Sequence, residues 1–384
     1  MQIRDLHPDH LDAALRIFVR SFGPVNESRR ERWHRTAFQA ITDRQALGCY
    51  DGTQLVAMAR INRYRQWWYG RTLPMAGIAS VVVAPEYRGQ GVATRVIGAI
   101  LDRAAELGYP ISVLYPETVP PYRGLGWEFG GARYLVSMPA EALRGLATTP
   151  VPLRQVGPDD AAEILSVVRR CHAAAHSSGP IDWDESEAHD WLTADQPFGF
   201  LAEDGFLAYH WDGPDLQVAE LVAGSADTAR SLWSLVGSGS SVVDKVRACV
   251  GPNDPVHWLT REAVVRPAGR KPWMLRLVDV PAALAGRGYP AGLEVEVHFA
   301  VDDPQRPGNT GHWRLTVTAG TGQVEPITGQ PGTLRLGTRG AAALYSGAPL
   351  ATLRVAGLAS GGDPATDTLL DAIFGGNPYL LDEF

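Results

Sequence analysis

IRDLHPDHLDAALRIFVRSF at residues 3–22 returns as LRQVGPDDAAEILSVVRRCH at 153–172, and this echo constrains the fold more than any other feature of the chain. At an offset of 150 residues Arg4 falls on Arg154, Pro8 on Pro158, Asp9 on Asp159 and Arg20 on Arg170. Leu6 and Val156, and Ile17 and Val167, stay apolar. Each copy reads as a short strand, a loop with a Pro-Asp helix start and an amphipathic helix. Two copies of one fold follow from this; the rival is a coincidence of two capped helices, since Pro-Asp is a common way to begin one.

A chain of 384 residues exceeds one ordinary core, so two or three domains are expected. With 45% hydrophobic and 20% charged residues it reads as a globular protein. No apolar run reaches the length that spans a bilayer, and MQIRDLHPDHLDAALRIF breaks its apolar residues with charge too often for a signal peptide. A cytoplasmic protein with no membrane partner is the expectation. The net charge of -7 argues against a nucleic-acid surface, which needs clustered positive charge. Cys49, Cys171 and Cys249 lie too far apart for a disulfide framework or a CxxC metal motif. His172 and His176 stand i, i+4, but no glutamate lies between them, so no metal is expected.

In the first copy, 48–67 reads as a hairpin turning at Asp51-Gly52, 74–85 as a further strand, 91–108 as a helix ended by Gly108, and 111–116 as the next strand. That order belongs to a mixed α/β sheet. The second copy lacks an Arg-x-x-Gly-x-Ala turn; its GSGSS at 237–241 reads as a helix C-cap and flexible connection with no strand leading into it. It looks like a scaffold. WWY at 67–69 reads as an aromatic cluster at a hairpin end or part of a subunit interface. From about residue 290, short strands separated by Gly and Pro, one Ala-rich helix and the final DTLLDAIFGGNPYLLDEF form a third, sheet-rich domain. The expected division is 1–140, 150–288 and 289–384.

The segment VVVAPEYRGQGVA at 81–93 carries the chemistry. A strand ending at Pro85 leaves backbone groups free. Gly89 and Gly91 permit unusual dihedrals, and Arg88, Gly89, Gln90, Gly91, Val92 and Ala93 present successive amides at a helix start. Such a place attracts phosphate through the helix dipole, and Arg88 adds a full charge with fork geometry. GxGxxG is absent, so this is no dinucleotide fingerprint.

R-G-Q-G-V-A after an apolar strand and before a helix resembles the acyl-CoA pyrophosphate loop of the Gcn5-related N-acetyltransferase superfamily, and PPYRGLGWEFGG at 120–131 is similar to its Tyr-x-x-x-Gly-aromatic segment, as Tyr122, Gly126 and Trp127. Together with KPWMLRLVDVPAALAGRGY at 271–289 and the end at Phe384, these segments make the whole chain similar to the Eis (enhanced intracellular survival) family. Gly89 departs from the pattern, standing where many of these enzymes carry another Arg.

The resemblance implies an α/β (α+β) architecture of tandem acetyltransferase folds, the N-terminal active and the central degenerate, followed by a sterol-carrier-like domain. It implies an acetyl-CoA-dependent N-acetyltransferase that assembles as a homo-oligomer, a hexamer. Val81 would pair with the pantetheine arm, and the Val83 N–H would meet the developing charge on the carbonyl. Tyr122 would be the general acid; a phenol at about 10 can protonate a thiolate at about 8.5. The carboxylate of Phe384 would be the general base, acting through water, with its pKa lifted from about 3.5 by withdrawal from solvent. An acidic and aromatic wall would suit a polyamine or aminoglycoside, with Glu383 as the first candidate for cation contact and Glu27, Phe22 and Trp33, on the first helix and its trailing loop, after it. DWDESE at 182–187 could reach the same cleft. The alternatives are an enzyme for one dedicated biosynthetic amine or a protein lysine, and a non-catalytic acyl-CoA or lipid binder.

Overall fold

Pro8 and Pro158 each open a single 3-10 turn that leads into a helix, so the repeated segments fold alike in the computed structural model, which describes residues 1–147, 149–329 and 332–384. The first copy runs β1 (Gln2–Asp5), α1 (Leu11–Phe22), α2 (Glu27–Thr42), β2 (Ala46–Asp51), β3 (Gln54–Trp68), β4 (Arg71–Val83), α3 (Val92–Glu106), β5 (Ile111–Leu114), α4 (Pro120–Arg123), β6 (Glu128–Pro139) and α5 (Ala140–Leu143). The second runs β7 (Arg154–Val156), α6 (Ala161–Ala174), α7 (Glu185–Asp195), β8 (Phe198–Ala202), β9 (Gly205–Asp212), β10 (Asp215–Ala223), α8 (Ala226–Gly237), β11 (Lys245–Val250), α9 (Val256–Leu259) and β12 (Arg266–Leu277). The rest comprises α10 (Val280–Gly286), β13 (Val295–Asp302), β14 (Gly311–Thr318), β15 (Thr321–Ile327), β16 (Leu334–Gly337), α11 (Thr338–Tyr345), α12 (Leu350–Val355), β17 (Ala359–Ser360) and α13 (Pro364–Phe374).

One detail differs from the sequence reading. Glu27 and Trp33 lie on a second helix, α2, not on a trailing loop; Asn26 caps it by accepting from the Arg29 N–H at 2.9 Å. GSGSS, as expected, sits at the C-terminal end of a helix, α8, and no strand leads into it; β10 leads into the start of α8 instead.

The two copies share one twelve-stranded sheet in the order β1-β2-β3-β4-β5-β12-β6-β11-β10-β9-β8-β7. The last strands are exchanged. Strand β12, from the second copy, pairs with β5 of the first, and β6, from the first, pairs with β11 of the second. Between them β12 and β6 pair with each other. A break in the chain near 140 therefore divides the sequence but not the sheet, and each copy buries backbone groups of the other.

The third part is a five-stranded sheet ordered β15-β14-β13-β16-β17, whose core is continuous with that of the first copy through Trp68, Trp273, Phe299 and Phe374. The WWY segment is part of this seam. Trp68 lies 4.6 Å from the Tyr345 ring, while Trp67 packs on His172 and Tyr69 stacks on His176. Arg287, 2% exposed, lies over the rings of Trp68, Tyr289, Tyr345 and Phe374 and donates to the Tyr345 carbonyl. Arg276 of β12 is joined to Asp303 by two 2.7 Å hydrogen bonds, both side chains essentially inaccessible. Removing one partner of such a pair leaves an uncompensated buried charge.

The candidate active site

The junction of β4 and α3 is shaped by backbone conformation. Gly89 and Gly91 have φ of +75° and +74°, and a β-carbon on either would meet nothing within 4 Å. Their glycines answer to dihedral strain, not crowding. Gly91 is the N-cap of α3, with no side chain capping the helix and no acid in its first turn. The amides at 92–94 therefore have no intrahelical acceptor and carry the positive end of the dipole. Arg88 braces the loop, its Nε donating to the Val83 carbonyl at 3.2 Å and Nη2 to Ser21 Oγ at 3.2 Å. A diphosphate fits this cradle: open space, free amides and one guanidinium.

Strand β5 accompanies β4 only from Met75 to Gly77, in parallel, and ends at Leu114, while β4 continues to Val83. Beyond Gly77 that side of β4 opens into a cleft. A register shift opposite Met58–Arg60, with Ser80 at φ +52°, marks a bulge that leaves Val81 without a partner on β3. The Ala84 N–H donates to Val56 at 2.8 Å, so by strand alternation Val83 turns its N–H and C=O the other way, into the cleft.

Tyr122 sits on α4, 8% exposed, edge-on to Trp127 at 6.2 Å. Burial, with a contribution from Glu117, pushes its phenol up to about 12. Three parts of the chain hold it. Leu125 N–H donates to the Tyr122 carbonyl, Arg276 Nε donates to the Leu125 carbonyl at 3.0 Å, and Glu128 accepts from both Arg123 and Arg339.

The tail does not fray. Tyr379 N–H donates to Ser178, Leu380 N–H to Ala132, Arg133 Nε to the Leu381 carbonyl at 2.9 Å, and the Tyr115 hydroxyl to the Asp382 carbonyl at 2.6 Å. The Phe384 ring then enters a slot between Tyr64 and Tyr115, at 5.0 and 5.6 Å. Gly77 is the floor of that slot; a β-carbon there would stand 2.8 Å from Tyr64 and 3.0 Å from Phe384.

All of this opens on one cavity of about 1340 Å³, into which both copies face. Its lining brings together Val81, Val83, Arg88, Ala93, Tyr122, Glu383, Phe384, Phe22 and Trp33. Gly89, Gln90, Gly91 and Val92 lie at its edge, between the lining residues Arg88 and Ala93, and are not themselves among the lining residues; nor is Glu27, and Glu383 is paired with Lys271 and lies 3.7 Å from Arg133, so its charge is already matched. The anionic wall comes from elsewhere: Glu187 of α7, Glu220 of β10 and Asp382 of the tail. Burial raises these carboxyls to about 7, about 8 and about 6. Asp182 and Trp183 also line it, so DWDESE does reach the cleft. Sequence reading passed over Glu220, Asp382, Tyr64, Tyr115, Gly77 and Arg60; only the alternation of Arg60, Asn62 and Tyr64 along one strand face could have revealed any of them.

A mixed sheet with a glycine-lined strand-to-helix cradle beside a splayed strand pair and a buried tyrosine defines a coenzyme A-dependent acyltransferase. The sequence matches models of the Acetyltransferase (GNAT) domain at 2–130 and 181–277, and of the Sterol carrier protein domain at 280–381. A Gcn5-related N-acetyltransferase from Kribbella flavida, of solved structure, is 47% identical with a TM-score of 0.96, covering 100% of this chain and 98% of that one. The chain belongs to the Gcn5-related N-acetyltransferases and is an acetyltransferase enzyme, of a family that uses acetyl-CoA. Within the family it is one of the Eis-like members. The N-acetyltransferase Eis of Mycobacterium tuberculosis is 29% identical over 331 residues, 79% of this chain and 81% of the relative, and Eis1 from Mycobacterium abscessus, 20% identical, shares the fold with a TM-score of 0.79 across both chains. No helix among the described residues is long and apolar enough to cross a membrane.

Proposed function

We propose that the enzyme moves the acetyl group of acetyl-CoA directly to a primary amine within the shared cavity, using Tyr122 as general acid and the Phe384 carboxylate as general base. The observation that carries this is the convergence of Val83, Arg88 and Ala93, which flank the glycine turn, with Tyr122 and Phe384 on one cavity. Residues 88–93 would hold the diphosphate, and Val81 would hydrogen-bond the pantetheine arm. The acetyl carbonyl would lie at the Val83 N–H, which strengthens its hydrogen bond as negative charge develops. The Phe384 carboxylate accepts the ammonium proton through water, the amine forms the new C–N bond as the C–S bond breaks, the departing sulfur takes a proton from Tyr122, and the second proton lost by the acylated nitrogen passes through water to restore the Tyr122 phenol. With its phenol at about 12, Tyr122 keeps that proton throughout the working range.

The acidic side chains of Glu187, Glu220 and Asp382, which a bound cation would draw into the charged form, favour a cationic acceptor of the polyamine or aminoglycoside kind. Thiol release from acetyl-CoA over a panel of amines tests the reading. Turnover on at least one amine is expected; coenzyme A binding with no turnover on any would favour the binder instead.

A further inference from the structure

Another part of the cavity lining has the other sign. Arg60, on β3, lines the cavity and is 8% exposed, yet among the described residues no carboxylate pairs with it. Its one hydrogen bond goes from Nη1 to Thr36 Oγ1 at 2.8 Å, and its Nε has no acceptor. Beside it on α2, Trp33 is 5% exposed, lines the same cavity and also leaves its indole N–H without an acceptor. Burying a guanidinium without a counter-charge, and two donors without acceptors, is costly and uncommon. Both donors belong to one wall, and Arg29 and Arg35 of α2 add positive charge at its rim. What is missing there is an acceptor with negative charge.

We propose that Arg60, assisted by Trp33, is an anion subsite, and that the acceptor is a primary amine that also carries an oxyanion. This rests on the acetyl-transfer reading for the amine end and sharpens it: the acceptor is a zwitterion stretched between two oppositely charged walls, not a pure polycation. Arg60 lies on the same face of β3 as Asn62, two residues along, and Asn62 pairs with Gly77, over which the Phe384 ring lies. ε-Aminocaproate, with an amine and a carboxylate on one flexible chain, is a simple probe of such an acceptor.

The test compares ε-aminocaproate, hexylamine and diaminohexane as acceptors in the thiol-release assay, with the full chain and with Arg60→Gln. For the full chain kcat/KM is expected to be about tenfold or more higher with ε-aminocaproate than with hexylamine, the usual weight of a charged hydrogen bond. Arg60→Gln should erase that preference by raising KM for ε-aminocaproate alone, with kcat and coenzyme A affinity nearly unchanged. Equal use of all three amines, or a preference that survives Arg60→Gln, overturns the proposal. A second measurement is independent of catalysis: hexanoate should raise the thermal midpoint of the full chain and not that of Arg60→Met, while Arg60→Met without anion should melt higher because an unmatched buried charge is gone. No response to hexanoate, with Arg60→Met melting lower, sinks the anion subsite even if acetyl transfer is intact. Absence of turnover on every amine alongside a hexanoate response sinks the transfer reading and leaves the subsite standing.

Discussion

Strand β4 reaches α3 through the eight residues 84–91, whereas β10 reaches α8 through only Gly224 and Ser225. The first junction keeps its helix amides open. At the second, Ser225 caps the helix by accepting from the Thr228 N–H at 3.3 Å, the Gly224 N–H is taken by the Asp204 carbonyl at 2.6 Å, and the Asp204 carboxylate accepts from Thr228. Asp227 adds another negative charge in the first turn. An anion is therefore welcomed at one helix start and repelled at its counterpart. The second copy has nonetheless kept the cleft: β10 and β11 run parallel, and a register shift between Val218 and Glu220 marks a bulge in β10 as one marks β4. There the bulged strand offers Glu220 to the shared cavity. The two clefts thus differ in what they present: open helix amides in the first copy, and a carboxyl on the bulged strand in the second.

The acid makes the largest contrast. Tyr122 is the third residue of α4, which starts five residues after β5 (115–119 intervene); Trp258 is the third residue of α9, which starts five after β11 (251–255 intervene). One is buried in the cavity and the other is 70% exposed. Tyr122→Phe is expected to lower kcat by about a hundred- to ten-thousand-fold with coenzyme A affinity intact, and residues added after Phe384 should do the same. Trp258→Phe should change kcat less than about twofold. Equal losses at both positions would break the comparison.

The reciprocal strand exchange predicts that the copies are unequal in chemistry but not in stability. Arg276 comes from the second copy's strand, supports the loop behind Tyr122, and depends on Asp303 of the third part. Asp303→Ala should cost about 3–5 kcal/mol, read by denaturant titration. The loss should appear as one transition in which both copies unfold together. Two separate transitions would show that the exchanged strands do not couple them.

A transplanted carboxylate sharpens the contrast at the junctions. Gly91→Asp puts an acid and a strained left-handed β-carbon where the first copy has neither, and coenzyme A affinity by calorimetry should fall about a hundredfold. Ser225→Asp, at the closed junction, should leave it unchanged.

The strands and turns around the cradle were legible because their information is local: Asp51-Gly52 turns, Pro85 stops, and Gly91 starts a helix. The exchange of β6 and β12 was not, because either strand's alternation suits either neighbour and pairing is decided by the whole sheet. Helix α2 left a trace that could have been read. Trp33, Ala37, Ala40 and Ile41 are its buried residues at helical spacing, behind an Asn26 cap, but five arginine and glutamate residues in its first six obscure the stripe. Arg60 was hidden by a similar masking, since in an alternating strand a charged position reads as the solvent face.

The smallest effect concerns what the acidic wall costs. Glu220, Glu187 and Asp382 have folded-state carboxyls at about 8, about 7 and about 6, raised first of all by burial, against about 4 in an unfolded chain. Between about pH 4 and pH 8 these three groups hold more protons in the folded chain than in the unfolded one, so their contribution to stability falls as pH rises through that window and levels off above it; His172, brought down to about 4 by burial, works the other way below about pH 6.5. Because these groups border an open cavity, solvent screening reduces the loss. Glu220→Gln should flatten the upper end of the curve, near pH 7–8, and a bound amine should oppose the decline by supplying the missing positive charge. Thermal midpoints across pH, with and without diaminohexane, measure both. A midpoint that climbs from pH 7 to pH 8 in the absence of amine would mean that the second copy's carboxylates are already neutralised within the protein, and that the two clefts do not divide the charge as described.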